Sequence, residues 1–407
     1  MAHLILSINA GSSSLKCGLY RSSEDKRTLS LLAKAEVSAI GQKGSSIKYN
    51  KQSREISVDD HAAAFEHVLK SFTADKDVDV KTGDDIEYAC HRVVQGGSFR
   101  DDELITRETF HKIEALSDLA PLHNASAVSL MRACHEQLPK VTNVACFDSS
   151  FHSSMPDHVK SYAIDPKIAK EKGLRKYGFH GLSYSYILRQ VSGYLHKQPS
   201  ETSIIALHLG SGASACAIKN GKSIDTTMGL TPVSGLPGAT RSGDIDPSLV
   251  FHYTSEASKL SPSSTKDLHI STAEEILNKK SGWKALTGTT NFAEIADPNA
   301  PETHKLALDM FVDRIVGFIG SYYVKLGGEV DALVFAGGIG EKSAYLRELV
   351  TRQCECLGFQ IDKGLNEGVS GDDVVTSIGS SDSGKRTLVV ATDEDYEMAL
   401  RTMLHPK

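Results

Sequence analysis

One device occurs twice in this chain. Ile5-Leu6-Ser7-Ile8-Asn9-Ala10 runs as an apolar strand into Gly11-Ser12-Ser13-Ser14, and Ile204-Ile205-Ala206-Leu207-His208-Leu209 runs into Gly210-Ser211-Gly212. In each, a buried strand delivers a small-residue turn rich in backbone N–H groups and hydroxyls, which suit a phosphate. Two such turns facing across a cleft would grip the two ends of a phosphate chain. The repeat therefore calls for a duplicated α/β fold whose halves each contribute one turn.

Both turns continue as strand rather than helix. Ala213 to Lys219 runs into the hairpin signal Asn220-Gly221. Gly210 to Ala215 matches GxGxxA, but a dinucleotide fingerprint needs strand, turn and helix in that order. The chain also lacks GxxxxGK[ST], which excludes a P-loop. Hydrophobic patterning predicts strands over 4–9, 15–20, 86–91, 142–147, 204–209, 213–219, 331–336 and 387–391. It predicts helices over 60–72, 125–137, 181–195, 303–326 and 343–357. The last carries Leu346, Leu349, Val350, Cys354 and Leu357 at helical spacing, with Gly358 placed to cap it in the left-handed conformation.

At 407 residues the chain has room for two or three domains. A boundary falls near Ser153-Ser154-Met155-Pro156, giving a first domain over 1–153 and a second, nucleotide-binding one over 154–385. The remaining segment, 386–407, is expected to pack back on the first. Residues 254–266 read as a solvated loop.

A net charge of −6 argues against a nucleic-acid footprint, which needs a basic surplus. Seven cysteines form no CxxC pair, and Cys354 and Cys356 lie too close in a helix for an ordinary disulfide, so a reducing compartment is expected. The opening Met1-Ala2-His3-Leu4 lacks a basic n-region, and its apolar run ends by Ile8. Neither a signal peptide nor a membrane span is expected, and the protein reads as cytoplasmic.

Several residues stand where chemistry is done. Asp148 follows the apolar strand Val144-Ala145-Cys146-Phe147, at the ligand-facing carboxyl edge of an open sheet; a helix cap or turn is the alternative. His180 lies between Gly178 and Gly181, where a ring can approach a substrate or serve structure alone. Arg241 sits in the tight loop Gly238-Ala239-Thr240-Arg241-Ser242-Gly243-Asp244, suited to a bidentate phosphate contact or to an ion pair with Asp244 or Asp246. The turn Gly337-Gly338-Ile339-Gly340-Glu341 follows a strand and opens the 343–357 helix, so backbone and helix N-terminus would favour an anion. Asp393, Glu394 and Asp395 either hold Mg²⁺ or cap the next helix. His91-Arg92 is a substrate clamp or an ion pair.

Together these segments, with Ala120-Pro121-Leu122-His123-Asn124 and Thr240 to Pro247, resemble the acetokinase family, in family order from about residue 4 to 400. The resemblance implies the duplicated actin/hexokinase (ribonuclease H-like) two-domain fold with a cleft between its halves. It implies a homodimer catalysing acetate + ATP ⇌ acetyl phosphate + ADP with Mg²⁺, or with Mn²⁺ in its place. Residue by residue, Asp148, His180, Arg241 and Arg92 resemble the catalytic group. Arg92, Val94, Leu122, His123, Phe179 and Pro232 resemble the acid-binding residues. Ser12, Ser14, Lys16, His208, Leu209, Gly210, Ser211, Gly212, Asn291, Gly337, Gly338, Ile339, Gly340, Glu341 and Lys342 resemble the phosphate and nucleotide contacts. Asn9 and Glu394 resemble the metal site.

The sequence departs from the family pattern in the nucleotide region. Ser211 replaces an Asn after His-Leu-Gly, and Lys342 replaces an Asn after Gly-Gly-Ile-Gly-Glu. Gly288-Thr289-Thr290-Asn291-Phe292-Ala293 stands in place of a Ser-Asp-Leu-Arg stretch, and Gly238-Ala239 in place of Met-Gly. These changes leave open an acetate kinase that uses pyrophosphate and phosphate instead of ATP and ADP. A propionate or butyrate kinase and a non-catalytic nucleotide switch are more distant readings, because Phe179 and Pro232 limit the room and the catalytic residues are all present.

Overall fold

The computed structural model describes residues 2–25, 28–78, 80–118, 121–264 and 269–404, with the side chains of 118 and 121–123 excepted. It divides into two compact units, Met1–Ser150 with Asp393–Lys407, and Phe151–Thr392. The strands of the first unit are β1 (Leu4–Ala10), β2 (Ser14–Ser22), β3 (Leu29–Ser38), β4 (Ser46–Tyr49), β5 (Gln52–Glu55), β6 (Tyr88–Val93), β7 (Glu103–Leu104) and β8 (Thr142–Phe147). Those of the second are β9 (Ile204–Leu209), β10 (Ala213–Lys219), β11 (Lys222–Thr226), β12 (Ala332–Ala336), β13 (Val375–Ser377) and β14 (Arg386–Val390).

The sheet orders repeat. The first sheet runs β5-β4-β3-β2-β1-β6-β8-β7 and the second β11-β10-β9-β12-β14-β13. In each, an antiparallel trio joined by hairpins (β3-β2-β1 or β11-β10-β9) ends in a central strand, beside which two parallel strands follow in turn (β6 and β8, or β12 and β14). Parallel neighbours need long crossovers. The helices His61–Ala74 and Pro121–Gln137 supply them in the first unit, Glu302–Lys325 and Ala344–Gln353 in the second. This is the duplicated α/β architecture expected from the two turns.

The core of each unit follows from its strand composition. β9 and β12 are apolar along nearly their whole length, as strands covered on both faces must be. Leu308, Phe311, Val312, Ile315, Ile319 and Tyr322 recur at helical spacing on Glu302–Lys325 and are buried. Phe311 meets Trp283 and Phe292 edge-on at 5.3 and 5.6 Å, which ties down the 282–295 segment.

Several elements differ from expectation. β3, β4, β5 and β11 extend the hairpins, and Gly337–Lys342 forms a short helix of its own, ended by Ser343. The turn therefore does not open the long helix. Ser343 caps Ala344–Gln353 separately by accepting from the Leu346 N–H. A single 3-10 turn, Glu355–Leu357, then leads to Gly358 at φ 89°. In the 254–266 segment most described residues are exposed, but Ser261 is buried against Glu275; residues 265 and 266 lie outside the described residues. β14 pairs with β12 in the second sheet, whereas the following helix, Glu394–Leu404, packs on β1, β2, β3 and β6 of the first unit. The 386–407 segment is thus divided between the units.

Candidate active site

In the first unit, strand register gathers the charged residues. β1 and β6 pair with Ile8 opposite His91, so Asn9 and Arg92 stand side by side one step further on. β6 and β8 pair with Val93 opposite Phe147, so Asp148 is the first residue beyond the third strand. All three lie at the carboxyl ends of adjacent parallel strands, where open α/β sheets bind ligands. Arg92 Nε and Nη2 both donate to Asp148 Oδ2, at 3.1 and 2.6 Å, and Nη1 donates to Asn9 Oδ1 at 3.2 Å. Glu394 Oε2 lies 3.7 Å from the same Nη1. Asp148 is fully buried and the Arg92 side chain is 19% exposed. Burial works against the guanidinium charge, but Asp148 and Glu394 outweigh it and hold Arg92 protonated more firmly than usual. Asp148 thus stands at the carboxyl strand ends as the ion-pair partner of Arg92.

The acidic run at the start of the last helix separates into three roles. Asp393 accepts from the Tyr396 N–H and caps the helix. Asp395 is buried and lies 3.4 Å from Lys34 Nζ. Only Glu394 joins the Arg92 cluster. Among the described residues, no three His, Cys, Asp or Glu gather as a metal-holding group. The donors that do meet, the Asn9 amide oxygen and the Glu394 carboxylate, are hard oxygens, which suit an Mg²⁺ completed by water and substrate phosphates.

Lys16 is the cross-strand partner of Asn9 in the β1–β2 ladder and shares its face. It is half exposed, 3.6 Å from Glu36. Ser12 is exposed in the intervening turn, which Gly11 N–H closes on Ser14 O at 2.8 Å. Val94 is half-buried just past β6, and Asn124 pins the next residue by bonding both Gln95 N–H and Gln95 C=O. The side chains of Leu122 and His123 lie outside the described residues.

The second unit builds its cluster from imidazoles, hydroxyls and one loop arginine. His180 precedes the helix Gly181–Tyr194 in the left-handed conformation, φ 60°. Its Nδ1 is 2.9 Å from Ser214 Oγ, and its ring lies 4.2 Å from that of His208, centroid to centroid. Ser183 Oγ bonds His208 Nδ1 at 2.7 Å. Phe179 and Pro232 are buried. Arg241 Nη1 donates to Pro232 O at 3.2 Å, and its guanidinium lies against Gly212, where a Cβ would come within 2.9 Å of Nη2. Asp244 accepts from Ser234 Oγ and Gly235 N–H, and Asp246 from Ser248 N–H.

The loop bearing Arg241 is docked on the second phosphate-type turn, with Ala239 N–H bonded to Ser211 O at 2.8 Å. Gly238 is required there, because a Cβ would sit 2.6 Å from that oxygen. Gly337, φ 74°, packs on the Leu209 backbone and so places the short Gly337–Lys342 helix beside the same turn. Glu341 Oε1 accepts from both Thr392 N–H and Thr392 Oγ, at 3.1 and 2.9 Å. Lys342 is exposed at the end of that helix. Asn291, by contrast, caps the helix Phe292–Ile295 through Ala293 N–H and donates to Glu294. Its side chain serves the local fold.

Two members of this network, Ser214 and Tyr184, are not among the residues that motif reading selects. The signal was there: Ser214 is the cross-strand partner of His208, and Tyr184 is four residues from His180, one helical turn along.

Residues 4–400 match the profile of the Acetokinase family. A protein of Emericella nidulans named "Probable acetate kinase" is 56% identical, over 97% of this chain and 96% of that protein. The acetate kinase of Acetivibrio thermocellus is 38% identical, over 98% of both. Among solved structures, Porphyromonas gingivalis acetate kinase superposes with a TM-score of 0.84 at 36% identity, covering 99% of this chain and 100% of that one. A propionate kinase from Francisella tularensis superposes with a TM-score of 0.86 at 34% identity, covering 98% of each. With the profile spanning nearly the whole chain and the charged strand ends in place, the chain belongs to the acetokinase family.

Proposed function

We propose that the protein is an acetate kinase, transferring a phosphoryl group reversibly between ATP and acetate to give ADP and acetyl phosphate. The observation that carries this reading is the Asn9–Arg92–Asp148–Glu394 cluster at the strand ends, in a chain of this family. Carboxyl groups have pKa values near 4, so acetate arrives already ionised and needs no general base. The obstacle is electrostatic: an anion must approach a polyanion. Catalysis therefore rests on cations and directed N–H donors that neutralise charge and hold the reactants in line.

Arg92 would grip the acid and the migrating phosphoryl group, with the buried Asp148 fixing the direction of its guanidinium. Arg241 and His180 would supply donors to the phosphoryl oxygens, and Lys16 with the Ser12 and Ser14 turn would hold phosphate. Asn9 and Glu394 would hold Mg²⁺, which supplies charge neutralisation when bound. The second turn, with His208 to Gly212, and the Gly337 to Lys342 helix would take the nucleotide. Val94, Leu122, Phe179 and Pro232 would receive the methyl group. One further methylene changes discrimination by only about 1–3 kcal/mol, so propionate is expected to be a slower substrate.

Pyrophosphate remains the second reading for the phosphoryl donor. The specific observation behind it is that Asn291, in the altered 288–293 stretch, spends its side chain capping a helix. Turnover of acetyl phosphate with Mg²⁺, given ADP or inorganic phosphate in separate assays, tests both. ATP formed from ADP supports the first reading; pyrophosphate formed from phosphate replaces it with the second, and no product in either assay overturns both. The cytoplasmic reading draws support from seven unpaired cysteines. A homodimer draws support from exposed Phe251 and Tyr253, 74% and 64% accessible on one short helix.

A further inference from the structure

Ser214 is fully buried on β10, opposite His208, and Tyr184 is fully buried one helical turn beyond His180. Opposed residues of a ladder share a face, and so do residues four apart on a helix. The Ser214 hydroxyl is thereby held between two rings, 2.6 Å from Tyr184 Oη and 2.9 Å from His180 Nδ1.

A serine hydroxyl has one proton to give. The chain of bonds therefore runs from Tyr184 through Ser214 to His180, or the other way. Its direction is decided at Tyr184: burial keeps the phenol protonated, and among the described residues its side-chain hydrogen bond is to Ser214 Oγ. The phenol proton therefore goes to Ser214, and the serine proton goes to Nδ1 of the histidine.

We propose that Tyr184 and Ser214 are positioning residues that hold His180 as the neutral tautomer, with Nδ1 accepting and the proton on Nε2. The proposal rests on the reading of His180 as a donor to the transferring phosphoryl group. A fixed Nε2–H directs a hydrogen bond at a phosphoryl oxygen. A ring that exchanges tautomers would present a lone pair there part of the time. The same arrangement occurs one residue upstream, in a case without ambiguity. His152 Nε2 bonds the carbonyl oxygen of Phe179 at 2.9 Å, so that nitrogen must donate. Its Nδ1, 2.8 Å from Ser223 Oγ, then accepts from a serine. Burial keeps His152 neutral, with its pKa lowered to about 4. The 4.2 Å approach of the His180 and His208 rings also suits neutral imidazoles, since two cations so close would repel.

The test is the ring ¹⁵N spectrum of protein labelled at histidine, with His180 assigned by comparison with His180→Asn. The expected wild-type spectrum shows His180 protonated at Nε2 and unprotonated at Nδ1. Tyr184→Phe and Ser214→Ala should each give a mixture of tautomers, and Ser214→Thr, which keeps the hydroxyl, should restore the single form. In the first two variants kcat should fall about tenfold, the rate equivalent of one lost hydrogen bond. KM for acetyl phosphate and ADP should stay within about twofold, since only transition-state contacts are weakened. A wild-type proton on Nδ1, or a tautomer unmoved by both Tyr184→Phe and Ser214→Ala, overturns the proposal. Full activity of His180→Asn would instead overturn the role given to His180 and leave the tautomer result standing.

Discussion

Superposing the two strand registers aligns Asn9, Arg92 and Asp148 of the first unit with His208, Ala336 and Thr392 of the second. Where one sheet carries a cation locked to a buried carboxylate, the other carries an imidazole, a methyl group and a hydroxyl. The second unit obtains its cation from a loop, Arg241, laid against Gly212. The first unit's charges are therefore part of its framework, whereas the second unit's cation is carried by a loop outside the sheet. Duplication supplied the same scaffold twice, and the two copies separate charge that holds the fold from charge that is placed on it.

Four measurements probe this contrast. Arg92→Ala should have the largest effect, because it removes a donor and takes two charge-assisted bonds from the buried Asp148. A loss of about 10²–10³ in kcat is expected, together with about 3–5 kcal/mol of stability in denaturant unfolding. Arg241→Ala should lose a similar factor in kcat while its denaturant midpoint stays near that of the wild type. Equal destabilisation by both variants would break the comparison.

Gly212→Ala sharpens it. The new Cβ displaces the Arg241 guanidinium without straining a left-handed backbone, since Gly212 does not have a positive φ. The expected loss in kcat is about tenfold, with unchanged unfolding.

The smallest difference between units should appear in acid. His91 in the first unit and His152 in the second are both buried, and burial lowers each pKa from 6.5 to about 4. The unfolded chain binds those protons first as pH falls, so stability is complete above about pH 6.5 and declines between there and about pH 4. Each histidine accounts for about 3 kcal/mol over that window. His91→Asn and His152→Asn should each flatten the stability–pH curve by a similar amount; a flat wild-type curve would contradict both.

The parts of the molecule that announce themselves in sequence are those in which one strand does the work alone. β1, β8, β9 and β12 are short apolar runs that lead into a glycine turn or a charged residue, and that pattern is local. The polar hairpin β4–β5 is not legible this way, because all of β5 is exposed and no burial pattern marks it. The Gly337–Lys342 helix was hidden for a different reason. Three glycines disfavour a helix on intrinsic propensity, and this one exists because Gly337 seats on Leu209 and the buried Arg347 binds the Gly340 and Glu341 carbonyls. Asp148, Arg92 and Glu394 each stand out in sequence as candidates, but their meeting depends on register across three strands and one returning helix. Asn291 shows the reverse case, a polar residue in a family position whose side chain is occupied by a local cap.

The last helix has a consequence for how the protein is made. The chain leaves its first unit after Ser150 and re-enters it only at Asp393. During vectorial synthesis Asn9, Arg92 and Asp148 emerge early, while Glu394 and the helix that covers β1, β2 and β6 follow after the whole second unit. Arg401, which forms a two-pronged bond to the buried Asp102, arrives later still. A nascent first unit must therefore wait with one flank of its sheet bare and Asp102 without the Arg401 guanidinium. Ribosome-bound chains stopped short of Asp393 should engage chaperones through that flank, and release of the final helix should be the event that frees them.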